Sequence, residues 1–217
     1  MIPLEAIGSL QSAFGVKRAN KHYYMSQFQA YFKLGIEHIL DLNGFDHILF
    51  VIALCAIYLL RDWKKILVLV TAFTIGHSIT LALATLRIFS VNSNLIEFLI
   101  PVTIAVTAFF NILKPRPSSG SGIQANYAFA LFFGLIHGLG FSNYLRSLLG
   151  RENSIWEPLL AFNLGLEAGQ LIIVGIFIVI SSITIGIFGT NRKEWALVIS
   201  SIVLGMSIMM ILDKVYW

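Results

Sequence analysis

From residue 45 onwards, long apolar runs alternate with short polar breaks. A helix crosses the ~30 Å hydrocarbon core of a bilayer in ~20 apolar residues, at ~1.5 Å rise each. On that length the pattern predicts six transmembrane helices. They run from Phe45 to Leu60 (with an extension back towards His38), Trp63 to Phe89, Leu95 to Leu113, Ala125 to Leu149, Trp156 to Phe188 and Trp195 to Leu212. Lys114-Pro-Arg-Pro-Ser-Ser-Gly-Ser-Gly122 reads as a flexible polar loop between the third and fourth. Residues 1–36 have a different texture. Lys17, Arg18, Lys21 and Lys33 alternate with Tyr23, Tyr24, Phe28, Tyr31 and Phe32, which suits a helical segment lying in the membrane interface and is too polar for a seventh span. The expected architecture is all-α: an N-terminal interfacial segment over 1–36, then a polytopic six-helix transmembrane bundle over 37–217.

Composition sharpens this picture. Of 217 residues, 57% are hydrophobic and only 12% charged, with mean hydropathy +0.82. A soluble domain carries about 25% charged residues, so the bilayer is the expected solvent and partner. The net charge of +4 resides in loops, and no basic patch interleaved with aromatics accompanies it, so nucleic acid is not an expected partner. Loop lysines and arginines orient membrane proteins towards the cytoplasm. Arg61, Lys64, Lys65, Lys114, Arg116, Arg192 and Lys193 follow the odd-numbered spans, against Arg87, Arg146 and Arg151 after the even ones. Both termini are therefore expected outside, in a bacterial inner membrane. Met1 to Gly15 lacks the basic start and apolar core of a cleaved leader, so the first span is expected to direct insertion. Cys55 is the single cysteine and reads as packing.

Candidate chemistry lies at the start of the first span and on polar faces inside the others. His38, Asp41, Asp46 and His47 surround the turn signal Asn43-Gly44, which is expected to fold them towards one another. In the second span Thr74, His77 and Ser78 share a helical face; in the fifth, Asn163, Glu167 and Gln170 do. His137 stands among Gly134, Gly138 and Gly140, which leave room for a neighbouring helix or a ligand, and Glu97 begins the third span. Imidazole with carboxylate suits a divalent transition metal, whereas the lack of thiolate or methionine clusters argues against copper(I). Ionisable groups inside spans face cavities or the bundle interior. Each residue also has a plainer reading. His77 and His137 would serve as satisfied core histidines, Asp46 as a helix N-cap and Glu97 as an acid favoured by the helix dipole. His22 carries no signal. A faint internal repeat pairs Ala72-Phe-Thr-Ile-Gly76 with Ala161-Phe-Asn-Leu-Gly165 and, at nearly the same offset, His47 with His137. Such inverted halves occur in transporters, with the site between them.

Gly35-x-x-His38-Ile-Leu, Gly44-x-Asp46-His47-Ile-Leu-Phe, Thr71-Ala-Phe-Thr-x-x-His77-Ser-Ile-Thr-Leu, Phe133-Gly-Leu-x-His137-Gly-x-Gly-Phe and Asn163-x-Gly-x-Glu167-x-Gly-Gln170 occur in that order. Together they resemble the HupE/UreJ family of small membrane proteins over about residues 30–175. Members are regarded as nickel or cobalt permeases or secondary metal transporters, and the resemblance implies that His38, Asp46 and His47 form a metal-linked motif. The family pattern is His-x-x-x-Gly-x-Asp-His, and here two further residues separate His38 from Gly44.

The leading expectation is transport of a divalent nickel, cobalt or zinc ion, held by His38, Asp46, His47, His77, His137, Glu97 and Glu167 and supported by Asn163, Gln170 and Thr74. The alternative is an intramembrane zinc hydrolase acting on a lipid or membrane peptide, with Glu167 or Asp46 as base and Ser78 assisting. A metal sensor or structural metal site is a third reading.

Overall fold

The computed structural model describes residues 26–88, 91–115, 121–149 and 155–215. Among them there is no strand. The helices are α1 (Gln27–Ile39), α2 (Asp46–Cys55), α3 (Trp63–Thr85), α4 (Ser93–Leu113), α5 (Ser121–Leu149), α6 (Trp156–Gly186) and α7 (Arg192–Asp213), with a 3-10 turn at Leu60–Asp62 leading into α3. Helices α3 to α7 are long and apolar enough to cross a bilayer, and the protein is an integral membrane protein.

Polar residues set several helix starts. The Ser26 hydroxyl accepts the Gln29 backbone N–H at 3.2 Å while Gln29 Oε1 accepts the Ser26 backbone N–H at 3.0 Å, a reciprocal cap that opens α1. Asn92 and Asn191 cap α4 and α7 through the N–H groups of Asn94 and Lys193. Helix α1 runs across residue 36 with Tyr31 and Gly35 buried. Residues 1–25, with most of the expected interfacial pattern and His22, lie outside the described residues.

The first expected span departs from its sequence reading. Helix α2 has 10 residues, a rise of ~15 Å, half of what a crossing needs. Ala56, Ile57 and Tyr58 continue buried but non-helical, and Leu59 is extended. The cause is a polar knot. Arg192 donates to the Ile57 carbonyl at 2.8 Å and to Asp62 at 3.3 Å, and Lys65 donates to Asp62 at 3.2 Å. These bonds hold the chain out of helix and turn it into α3.

Two close helix crossings organise the bundle. A Cβ on Gly134 would overlap the Phe73 carbonyl, and one on Gly76 the Leu131 carbonyl, so α5 and α3 meet backbone to backbone. Helices α1 and α6 repeat this arrangement: Gly35 lies on the Phe162 carbonyl and Gly165 on the Phe32 carbonyl. The crossings correspond residue for residue. Gly35-x-x-His38 matches Gly134-x-x-His137, and Ala72-Phe-Thr-Ile-Gly76 matches Ala161-Phe-Asn-Leu-Gly165. The internal repeat thus has a three-dimensional counterpart, but His137 pairs with His38 rather than with His47.

Contact order along each pair gives the directions. Gly134 meets Phe73 and Gly138 meets Thr80, so α3 and α5 are parallel. Gly165 meets Phe32 and Gly169 meets Ile39, so α1 and α6 are parallel. Thr71 reaches Glu167 while His77 approaches Phe162, so α6 opposes α3. Asn143 reaches Ser93 and His137 reaches Thr103, so α4 opposes α5. Asn111 near the end of α4 donates to the Ala53 carbonyl near the end of α2 at 2.7 Å, and Glu97 shares a cleft with Asp46. Helices α1 and α2 consequently point the same way, with a non-helical break at residues 40–45 between them.

Candidate metal centre

The break positions two histidines. His38 lies in the last turn of α1 and His47 in the first turn of α2, their ring centroids 4.6 Å apart. His77, fully buried at the middle of α3, has its ring 6.0 Å from His47 and 6.2 Å from His38. One potential ligand atom from each of the three lies within 4.8 Å of the other two. His137, one turn beyond the Gly134 crossing on α5, has its ring 5.3 Å from His47. Four helices therefore bring four imidazoles together, three of them tightly.

Hydrogen bonds select the free nitrogens. The Asp46 carboxylate accepts from His47 Nδ1 at 2.9 Å and from the His47 backbone N–H at 2.8 Å. With Nδ1 protonated, Nε2 carries the lone pair, and it is buried with no partner. The Thr103 hydroxyl donates to the Ile100 carbonyl at 2.7 Å, so its oxygen accepts from His137 Nε2 at 3.0 Å. That leaves His137 Nδ1 as a buried, unpartnered acceptor. His38 Nε2 and both His77 nitrogens are also buried without partners. Buried polar atoms are normally satisfied, so a cluster of orphaned imidazole nitrogens points to a ligand. Carboxylate–histidine pairing of the Asp46–His47 kind is the usual outer support of a metal-binding imidazole. The role of Asp46 exceeds helix capping: the N-cap of α2 is Phe45, which makes no side-chain cap bond.

Aromatic rings enclose the cluster. Phe141 lies 3.9 Å from the His38 ring by centroid, and Phe162 lies 5.7 Å from it. Phe50 and Phe73 lie 4.9 and 5.2 Å from His137. The jacket limits the contact of the imidazoles with water. On the remaining side a cleft of about 460 Å³ opens, lined by His38, His47 and His137 and, towards its mouth, by Asp41, Asp46 and Glu97.

A family model described as HupE / UreJ protein matches residues 16–215. The chain belongs to the HupE/UreJ family. No curated protein and no solved structure matches it.

In this HupE/UreJ protein the other sequence-selected residues fall in three places. Glu97 stands at the cleft mouth, beyond the first turn of α4, so the helix-dipole reading does not apply. It pairs with Lys214 at 2.9 Å, and this hydrogen bond raises the Lys214 ammonium above the ordinary lysine value. Asp41 accepts the Asn43 N–H at 2.9 Å and shapes the break. Glu167 is not grouped with the three histidines, and Gln170 and Thr74 share its place on the contact between α3 and α6. Glu167 accepts from Thr71 and Gln170 from Thr74, each at 2.7 Å, and Asn163 donates to the Leu159 carbonyl at 2.8 Å. The Ser78 hydroxyl donates to the Thr74 carbonyl of its own helix at 2.7 Å. Glu167 and Ser78 are so engaged and Asp46 accepts from His47, so the geometry gives the hydrolase reading no support. Thr103, Phe141 and Lys214 belong to the centre or its mouth but have no sequence signature. Only the position of Thr103, two residues after Pro101 in an apolar helix, sets it apart.

Proposed function

We propose that this HupE/UreJ protein carries a divalent transition-metal ion across the membrane, with the ion passing through the histidine cluster as cargo. The observation that carries this reading is the set of His38, His47 and His77 ligand atoms within 4.8 Å of one another, reached from one side by an acid-lined cleft. Imidazole suits nickel, cobalt or zinc. Transport requires a site that gathers an ion yet releases it. Carboxylates at the rim attract it; imidazoles deeper in bind it. Asp46 stays behind His47 as its orienting partner, and His137 supplies a fourth imidazole.

The reading includes a topology. Helices α1 and α2 together rise ~35 Å, enough for one crossing, so they form the first of six spans, interrupted at the site. Interrupted helices at a central binding site are a recurring transporter device. The polar knot of Asp62, Lys65 and Arg192 lies at the end opposite the cleft, which fits a cytoplasmic position for it and an outward-facing cleft, with both termini outside in an inner membrane.

Metal loading of purified protein and uptake into vesicles, measured on the same preparation, test this. His47→Ala and His77→Ala should each lose most bound nickel or cobalt together with uptake. Full loading and uptake in either variant would overturn the assignment of the cargo site.

A further inference from the structure

We infer that α3 and α6 hold a second cation site, built from oxygen atoms and separate from the histidine cluster, that takes a monovalent cation. It rests on the transport reading only for its purpose, a co- or counter-transported charge; the site itself stands on the following geometry.

Glu167 lies ~16 Å along α6 from its start at Trp156, within a membrane-spanning helix. Its carboxylate accepts from the Thr71 hydroxyl at 2.7 Å. Among the described residues no lysine, arginine or histidine forms an ion pair with it. A carboxylate inside a bilayer is costly without a positive charge beside it. One turn further on, Gln170 is fully buried; its amide joins Thr74 at 2.7 Å and leaves Nε2 buried with no partner. Turning that amide over keeps a bond with Thr74, whose hydroxyl then donates to the Val70 carbonyl at 3.2 Å. The unpartnered atom becomes Oε1, an acceptor that a cation satisfies. One turn before Glu167, the Asn163 amide is fixed by its Nδ2 bond to the Leu159 carbonyl, so its buried, unpartnered Oδ1 is an acceptor as well.

The face therefore offers a carboxylate, two carboxamides and two hydroxyls, with no imidazole or thiolate. Oxygen-only donors select hard cations, and one negative charge matches one positive charge. Sodium and the proton share that chemistry. The site also has a route to the metal. Thr71 and Thr74 share α3 with His77, and Gly165 and Gly169 of α6 seat α1, which carries His38. A charge that tightens or loosens the α3–α6 contact acts on the helices bearing two of the three grouped histidines.

The test uses full-length protein in detergent without added transition metal. Thermal midpoints are compared in sodium and choline at equal ionic strength and fixed pH, and infrared spectra are recorded in both salts. A midpoint that rises with sodium, fails to rise in Glu167→Gln and rises less in Thr71→Val assigns sodium. A protonated-carboxyl band, insensitive to sodium, absent from Glu167→Gln and shifted in Thr71→Val by loss of the hydroxyl, assigns the proton. An ionised Glu167 with no sodium dependence overturns the site. Should Glu167→Gln not fold, Thr71→Val and the wild-type response decide between the same outcomes. Because no readout involves metal, failure here leaves the cargo reading untouched, and failure of the histidine variants leaves this site untouched.

Discussion

At the scale of single residues, the hydrogen bonds of the centre predict graded effects. Asp46→Asn keeps the side-chain shape but gives up the charge that holds the proton on His47 Nδ1. Loss of such an orienting carboxylate typically lowers metal affinity about 10–100-fold, and titration of purified protein with nickel or cobalt should show a fall in that range. Unchanged affinity would remove Asp46 from the site. Thr103→Val releases His137 Nε2 and should weaken binding less than Asp46→Asn does, since it affects the imidazole outside the tight group of three. At the rim, Lys214→Ala frees Glu97 and should lower the metal concentration for half-maximal uptake at low ionic strength, with the difference fading as salt screens the mouth. The sequence exposes the imidazoles and Asp46 because charged groups stand out in apolar runs. It does not expose Thr103, since a lone hydroxyl in a span has no pattern around it. Glu167 was legible as a polar face of α6, but periodicity cannot say which neighbour a face meets. Through Glu167 and Gln170 that face meets Thr71 and Thr74, about two turns and one turn before His77 on α3.

At the scale of helices, the centre depends on how closely two pairs cross. Gly134→Ala would push its methyl into the Phe73 carbonyl and the His77 backbone N–H. Overpacking of this kind costs about 1–3 kcal/mol, and here the relief is separation of α5 from α3, which moves His77 and His137 apart. A lower thermal midpoint together with weaker metal binding is expected, and a variant as stable and as metal-competent as the parent would show that the crossing does not set the site. Gly175→Ala, where a methyl meets nothing within 4 Å, is the matched control and should leave both properties unchanged. Hydropathy located α3 to α7 well, because their ends coincide with caps such as Asn92 and Asn191 or with polar breaks. It overextended the first span, because Ala56, Ile57 and Tyr58 are as apolar as a helix interior. What ends α2 is Arg192, 135 positions from Ile57 along the chain, and no local window contains that bond. The residue pairing of the repeat differs from the sequence expectation for a related reason: His47 matches His137 by offset alone, whereas the backbone contacts of Gly35 and Gly134 make His38 the counterpart.

At the scale of the whole molecule, the described residues form an opening towards each end of the bundle. The cleft above the histidines carries Asp41, Glu97 and Lys214 at its mouth. A second cavity of about 270 Å³ is lined by Tyr58, Asn111, Lys114 and Asn126 among apolar groups. Between them Phe50 packs on Phe73 and Phe133, with ring centroids 4.8 and 6.0 Å apart. A passage for an ion along this line would have to part these rings. The proposed membrane orientation rests on loop lysines and arginines, which bear on direction but not on where the cavities lie; the two together make a sharp expectation. Asp41 and Lys114 are both exposed and sit at opposite openings, and Cys55 is buried, so single reporters can be placed in a Cys55→Ala background. In intact cells a membrane-impermeant maleimide should label Asp41→Cys, and prior loading with nickel should slow that reaction by occupying the cleft floor. Lys114→Cys should react only after the membrane is opened, and with no protection by nickel, because the phenyl rings separate it from the histidines. Labelling of both positions from outside would refute the opposed openings. Exchange of the two results would keep the fold and its cavities but turn the cleft, and with it the direction from which the metal arrives, towards the cytoplasm.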